Sequence, residues 1–273
     1  MADIVTVRQG TSPVILAFPH SGTHLPGDIH ARLNDNGLLL ADTDWHLPRL
    51  YGDLLADATL VQAVNHRYVI DLNRDPTGAS LYPGQNTTAL VPLTDFDNQP
   101  IWQAGAEPDD AEIARRRTLY HAPYHAALEA EVERVRAAHG LAVVYDCHSI
   151  RSRIPFLFEG TLPDFNIGTD RGVTCDPAIE AATLGAVQQA SGFTHVLNGR
   201  FRGGWTTRHY GRPETGVHAV QMELAQSTHL ASEAPPFAYD EARAGRLRDV
   251  LRAVLTGIEA AALKLADQGK KNK

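Results

Sequence analysis

The stretches AVVYDCHSI (142–150) and VHAVQMELA (217–225) are nearly unbroken runs of apolar and β-branched side chains. Strands of this composition are buried on both faces, so they belong in the middle of a sheet covered by helices above and below. The rest of the chain supplies those layers. SPVILAFPH, ATLVQAV, HRYVIDL and FTHVLNG read as further strands, while TDWHLPRLYGDLLADA, with Asp42 as N-cap, and PAIEAATLGAVQQASG read as helices. A longer helical pattern over 109–140 is interrupted at Pro123 and closed by Gly140, and another fills 240–266. Between strands and helices, residues 78–100 are rich in Gly, Pro, Asn and Thr and predict a long irregular excursion of the kind that covers sites. Alternating strands and helices predict an α/β fold with a mainly parallel sheet. No composition shift marks a boundary, so residues 1–273 are expected to form a single domain, with a tail that frays from about residue 265.

Charge and cysteine usage narrow the function classes. A net charge of −7 argues against a nucleic-acid partner, because a phosphate lattice selects a basic surface. Cys147 and Cys175 are the only cysteines, which excludes a disulfide framework and fits a reducing cytoplasm. The first ten residues hold no apolar signal core, and no run is long and apolar enough to span a membrane. These readings argue against a nucleic-acid or membrane partner.

The chemistry gathers where the strands end. Ligands of open α/β sheets bind beyond the carboxyl ends of strands, where loops converge without disturbing the core. VILAFPHSG ends at His20, VVYDCHS at His148 and HAVQMEL at Glu223, while YVIDLNRDP delivers Asp71, Asn73, Arg74 and Asp75. One histidine after a strand is usually a satisfied core or surface group. Glu223 is harder to dismiss, since a carboxylate on a buried strand needs a cation, a metal or a proton. His121 and His125 share a helix face in HAPYH, but the motif lacks the glutamate of HExxH and holds Pro123, so they read as braces for the helix. Cys147 beside His148 makes a poor nucleophile pair, because adjacent residues of a strand point to opposite faces.

Six blocks in order, FPHSGTHLP, ADTDWHL, RYVIDLNRDP, YHAALEAEVERVRAAHG, DCHSI and FRGGWTTRHYGRPETGVHAVQMEL, resemble the N-formylglutamate amidohydrolase family from about Pro13 to about Leu230. The resemblance implies a three-layer mixed sheet flanked by helices, similar to the zinc carboxypeptidases and aspartoacylases. It also implies hydrolysis of N-formyl-L-glutamate to formate and L-glutamate, an activity of histidine breakdown. Against the zinc-carboxypeptidase pattern, His20 and His148 fit the metal-ligand histidines. The glutamate expected three residues after the first is replaced by Thr23, so either Asp42 or Asp44 of ADTDW supplies the acidic ligand.

Two imidazoles and a carboxylate would hold Zn²⁺ with a position left for water, whose pKa then falls toward about 7. Glu223 is the candidate general base, and Asp146 a candidate hydrogen-bond acceptor behind His148. A dicarboxylate substrate calls for guanidinium groups. Asn73 with Arg74 resembles the Asn-Arg pair of carboxypeptidase-like enzymes, and Arg202 and Arg208 of FRGGWTTRHYG come next. Two other readings remain: a deacylase for a different N-acyl acidic amino acid, and a non-catalytic carboxylate-binding protein on the same scaffold.

Overall fold

The computed structural model describes residues 3–80 and 84–271. Residues 81–83, inside the expected irregular excursion, and 272–273, at the end of the expected frayed tail, lie outside the described residues. The strands are β1 (Val5–Arg8), β2 (Val14–Phe18), β3 (Thr59–Ala63), β4 (Ala142–Ile150), β5 (Phe165–Gly168), β6 (His195–Leu197) and β7 (Val217–Ala225). They form one sheet in the order β1-β3-β2-β4-β7-β5-β6. The four central strands β3, β2, β4 and β7 are mutually parallel, whereas β1 runs antiparallel to β3 and β5 antiparallel to β7, so the sheet is mixed.

The helices are α1 (Gly27–His30), α2 (Asp35–Leu38), α3 (Leu47–Tyr51), α4 (Asp110–Arg116), α5 (Ala122–His139), α6 (Pro177–Gln188), α7 (Trp205–Tyr210) and α8 (Glu241–Lys271). All nine residues of β4 and all nine of β7 are buried, as strands enclosed on both faces must be. The two faces make two cores. Val143, Tyr145 and Cys147 pack with α3, α6 and α8, where Leu247, Leu251, Val254, Leu255 and Ile258 recur at helical spacing. Ala142 and Val144 face Tyr124, Leu128, Val132 and Val135 of α5. Each such Leu or Val contributes about 1.5–3 kcal/mol by leaving water. Among the described residues no helix is long and apolar enough to cross a membrane.

Several elements differ from the sequence reading. The helix expected after Asp42 is only Leu47–Tyr51, and His46, with φ of 60°, occupies its N-cap position. HRYVIDL forms no strand: after an isolated bridge at Asn65, the chain from 66 to 75 turns irregularly. The long pattern over 109–140 is α4, one π turn at Arg117–His121, and α5. Pro123 lacks the N–H that an α turn would donate, and the wider turn ahead of it accommodates that loss. α6 stops at Gln188, short of Gly192, and α8 runs from Glu241 to Lys271.

Candidate active site

Parallel pairing of β4 with β7 places His148 opposite Glu223 and Asp146 opposite Gln221. Because side chains alternate along a strand, these four share the face toward α5, while Cys147 and Met222 point into the opposite core. Cys147 is thus a buried thiol facing away from His148, with burial pushing its pKa well up. β2 neighbours β4, so His20, in the turn just past Phe18, arrives beside His148, with ring centroids 5.0 Å apart. The next segment folds back over both: Asp44 N donates to His20 O at 3.1 Å, and Asp44 Oδ2 accepts from Ser149 N at 3.2 Å.

His20, Asp44 and His148 each offer one ligand-capable atom, all within 4.8 Å of one another. Their burial is nearly complete, at 3%, 1% and 2% exposed, with Glu223 beside them at 7%. His20 Nε2 is held by Asp71 Oδ1 at 2.7 Å, while its Nδ1 has no hydrogen-bond partner and faces Asp44 Oδ2 at 3.8 Å. His148 Nδ1 lies 3.1 Å from the same oxygen, and its Nε2 lies 3.0 Å from Asp146 Oδ1. An unpartnered imidazole nitrogen in a dry site is costly unless something positive or protic meets it. Two Nδ1 atoms and a carboxylate oxygen converging on one point, each ring backed by a second carboxylate, form a donor set that fits a divalent cation.

The electrostatics point the same way. Burial disfavours protonation of His148, but Asp146 and Asp44 outweigh it and hold the imidazole's pKa well above its ordinary value. A field that attracts a proton so strongly offers the same welcome to a cation. At His20 burial dominates, with Arg67 adding to it, and the pKa falls. Burial pushes Glu223 up to about 8, opposed by His148 and reinforced by Asp44. Asp71 is buried too, yet Arg67, then Arg74 and His20, hold its carboxyl well below the usual range.

A cleft opens from this cluster, lined on its polar side by Arg67, Asn73, Arg74, Arg200 and Gln221. The two expected acidic ligands separate here. Asp44 joins the cluster; Asp42 turns away, accepting from Phe96 N at 3.0 Å with Arg151 4.0 Å distant, and burial raises its pKa to about 7. Asp42 stands outside the His20–Asp44–His148 cluster, and the N-cap position of α3 is taken by His46. The expected arginines separate as well. Arg74 lines the cleft, its guanidinium lodged on Thr88 O at 3.0 Å and Thr88 Oγ1 at 2.9 Å. Arg208 instead pairs with Asp170 at 3.1 Å and bonds Gly203 O, and among the described residues that line the cleft the segment contributes Arg200 rather than Arg202 or Arg208. Gly204 belongs at the cleft because a Cβ there would overlap the Asn73 side-chain amide.

Residues that the strand-end reading passed over are Arg67, Arg200 and Gln221. Arg67 lies four residues before Asp71 in a turn that the sequence reads as a strand, and it pairs with Asp71 Oδ2 at 2.5 Å and stands 3.9 Å from Asp44 Oδ1. Gln221 was signalled by alternation alone, two residues before Glu223. His121 and His125 bond backbone carbonyls beside the cleft.

Comparison with known proteins places this geometry in context. A family model described as N-formylglutamate amidohydrolase matches residues 12–230. The N-formylglutamate deformylase of Pseudomonas aeruginosa PAO1 is 44% identical over 262 residues, which cover 95% of this chain and 97% of that one. Its counterpart in Pseudomonas putida is 43% identical over 262 residues with the same coverage. The crystal structure of an N-formylglutamate amidohydrolase from Ralstonia eutropha JMP134 superposes with a TM-score of 0.75 at 25% identity, covering 99% of both chains. A gene product of Agrobacterium tumefaciens shares the fold, with a TM-score of 0.69 at 22% identity over 94% of this chain and 97% of that one.

Proposed function

The chain belongs to the N-formylglutamate amidohydrolase family, and on that premise we propose that it hydrolyses N-formyl-L-glutamate to formate and L-glutamate with the help of a divalent cation. The observation that carries the reading is the unpartnered Nδ1 of His20 aimed at Asp44 beside His148, with Glu223 adjacent and arginines along the cleft. His20, Asp44 and His148 would hold the ion, and imidazole with carboxylate donors suits Zn²⁺. When bound, such an ion supplies the positive charge that acidifies a water molecule and polarises a carbonyl.

The remaining work falls to the protein's own side chains. Glu223 takes a proton from the attacking water and returns it to the departing amine nitrogen as the C–N bond breaks, which conserves its charge over the cycle. A carboxylate whose proton affinity is raised by burial suits both halves of that task. Gln221 Nε2 lies 3.3 Å from Glu223 Oε2 and limits how the carboxylate turns. Asp71 and Asp146 orient the two imidazoles from behind. Arg74, partly exposed at 26%, and Arg200 stand along the cleft where the two substrate carboxylates need guanidinium partners. The free thiols of Cys147 and Cys175 suit a reducing cytoplasm, where we place the reaction.

The test is direct. Purified protein incubated with N-formyl-L-glutamate should release formate and L-glutamate in equal amounts, stop after chelation, and resume when Zn²⁺ is restored. Turnover that survives in protein shown to hold no metal would overturn the cation's role. No release from metal-loaded protein would overturn the substrate.

A further inference from the structure

The segment 66–75 delivers Asn73 and Arg74 to the cleft without belonging to the sheet, so its backbone polar groups need partners from elsewhere. Two of them find histidines. His125 Nε2 bonds Leu72 O at 2.8 Å, and His121 Nε2 bonds Arg74 O at 3.1 Å. The bonded carbonyls are those immediately before and immediately after the Asn73 carbonyl. On the strength of the Arg74 assignment above, we propose that His121 and His125 are positioning residues: through the Arg74 carbonyl His121 sets the substrate-binding geometry of Arg74, and through the Leu72 carbonyl His125 sets that of Asn73.

The arrangement is built from local features of the chain. Residues four apart share a helix face, and here the two rings lie 4.5 Å apart at the junction of the π turn with α5. π turns inside α-helices recur at functional sites because they reposition side chains against the regular register. Trp205 of α7 wedges against the pair, its ring centroid 5.5 Å from His121 and 4.6 Å from His125. The Tyr210 hydroxyl stands 3.1 Å from His125 Nδ1. Burial lowers the pKa of both histidines, and because a carbonyl oxygen only accepts, each ring donates from Nε2.

Asn73 is gripped from the other side as well. Its Oδ1 accepts from Thr206 N at 2.8 Å, and its Nδ2 lies 3.1 Å from His148 Nε2. The peptide unit is rigid, so rotation of the Leu72 or Arg74 carbonyl would swing the neighbouring side chains with it. Displacements near 1 Å at a binding group are enough to lower catalytic efficiency strongly.

The experiment measures KM and kcat for N-formyl-L-glutamate, and calorimetric Kd for L-glutamate, in the metal-loaded enzyme and its variants. Thermal unfolding is followed in parallel. His121→Ala should raise KM and Kd about tenfold while kcat stays within about threefold. His121→Gln, whose amide reaches to where Nε2 stood, should restore both to within about threefold. In an Arg74→Ala background, His121→Ala should add less than about twofold, because the group it positions is gone. An unchanged KM in His121→Ala, no rescue by Gln, or an equal penalty in the Arg74→Ala background would each overturn the positioning role. If Arg74→Ala itself leaves KM and Kd unchanged, the Arg74 assignment fails first. If Arg74→Ala raises KM and His121→Ala does not, only the positioning role fails. His125→Ala should repeat the His121→Ala pattern, and should it not fold, the His121 series decides.

Discussion

His148 and Glu223 stand on neighbouring parallel strands, whereas Arg67, Asp71, Asn73 and Arg74 stand on a stretch of chain that pairs with no strand. The strand pair owes its geometry to ladder register: once β4 and β7 align, His148 must face Glu223 and Asp146 must face Gln221. The irregular stretch owes its geometry to side chains borrowed from the rest of the molecule. His121 and His125 hold its carbonyls, Asp71 caps Asn73 N at 2.9 Å, and Thr206 N holds the Asn73 amide. The chemistry proposed above thereby falls on laddered backbone, and the recognition proposed above on backbone whose shape depends on distant partners. Substitutions on the first side should therefore affect turnover, and those on the second should affect recognition.

The largest effect is expected at Glu223. Glu223→Gln should keep the fold and the metal content but lower kcat by about 10²–10⁴-fold, measured as formate release at saturating substrate. A variant with nearly full kcat would remove the proton-transfer role from the strand side. Next comes Arg74→Ala, which should lower kcat/KM by about 10–100-fold through loss of a charge-assisted hydrogen bond, with kcat changed much less. Were kcat to fall as far as kcat/KM does, the division between the two sides would blur.

Asp71→Asn probes the point where the two sides meet, since this carboxylate on the irregular stretch orients His20. It should weaken metal affinity by about 10-fold or more in a competition titration with a chelator, while circular dichroism stays unchanged. Equal affinity would show that the irregular stretch serves recognition only. The smallest effect concerns a histidine outside the cleft. His229 Nε2 bonds Trp45 O at 3.2 Å, in the loop that carries Asp44, and burial lowers its pKa to about 4. Above pH 6.5 it is neutral whether folded or unfolded; between about 6.5 and 4 only the unfolded chain takes up the proton, so stability falls with pH across that window. Urea unfolding should show about 1–2 kcal/mol of this loss between pH 7 and 5, and His229→Gln should flatten the slope. An unchanged slope in the variant would assign the acid sensitivity to other groups, with His125 the first to examine.

The same contrast explains what could be read before any coordinates. Continuous apolar runs identified β4 and β7 and put His148 and Glu223 toward their carboxyl ends; the common face followed only from the register between the two strands. HRYVIDL looked like a strand because Tyr68, Val69 and Ile70 are all buried, but they are buried in a turn, and composition does not separate these cases. Asp42 and Asp44 were equivalent in ADTDW. Only the fold distinguishes them, by bringing Ser149 N to Asp44 and Phe96 N to Asp42. FRGGWTTRHYG promised Arg202 and Arg208 to the cleft, but the turn aims Arg200 there and sends Arg208 to Asp170.

By itself, then, the sequence determined the layered α/β architecture, the family, and the residue types gathered at the strand ends, because hydrophobic periodicity and short-range spacing are written along the chain. The tertiary structure decided which acid joins the histidines, which arginines line the cleft, and how the unladdered stretch is held. Those outcomes depend on hydrogen bonds between residues far apart in sequence, such as Asp44 with Ser149 or His125 with Leu72, and local propensity carries no record of them.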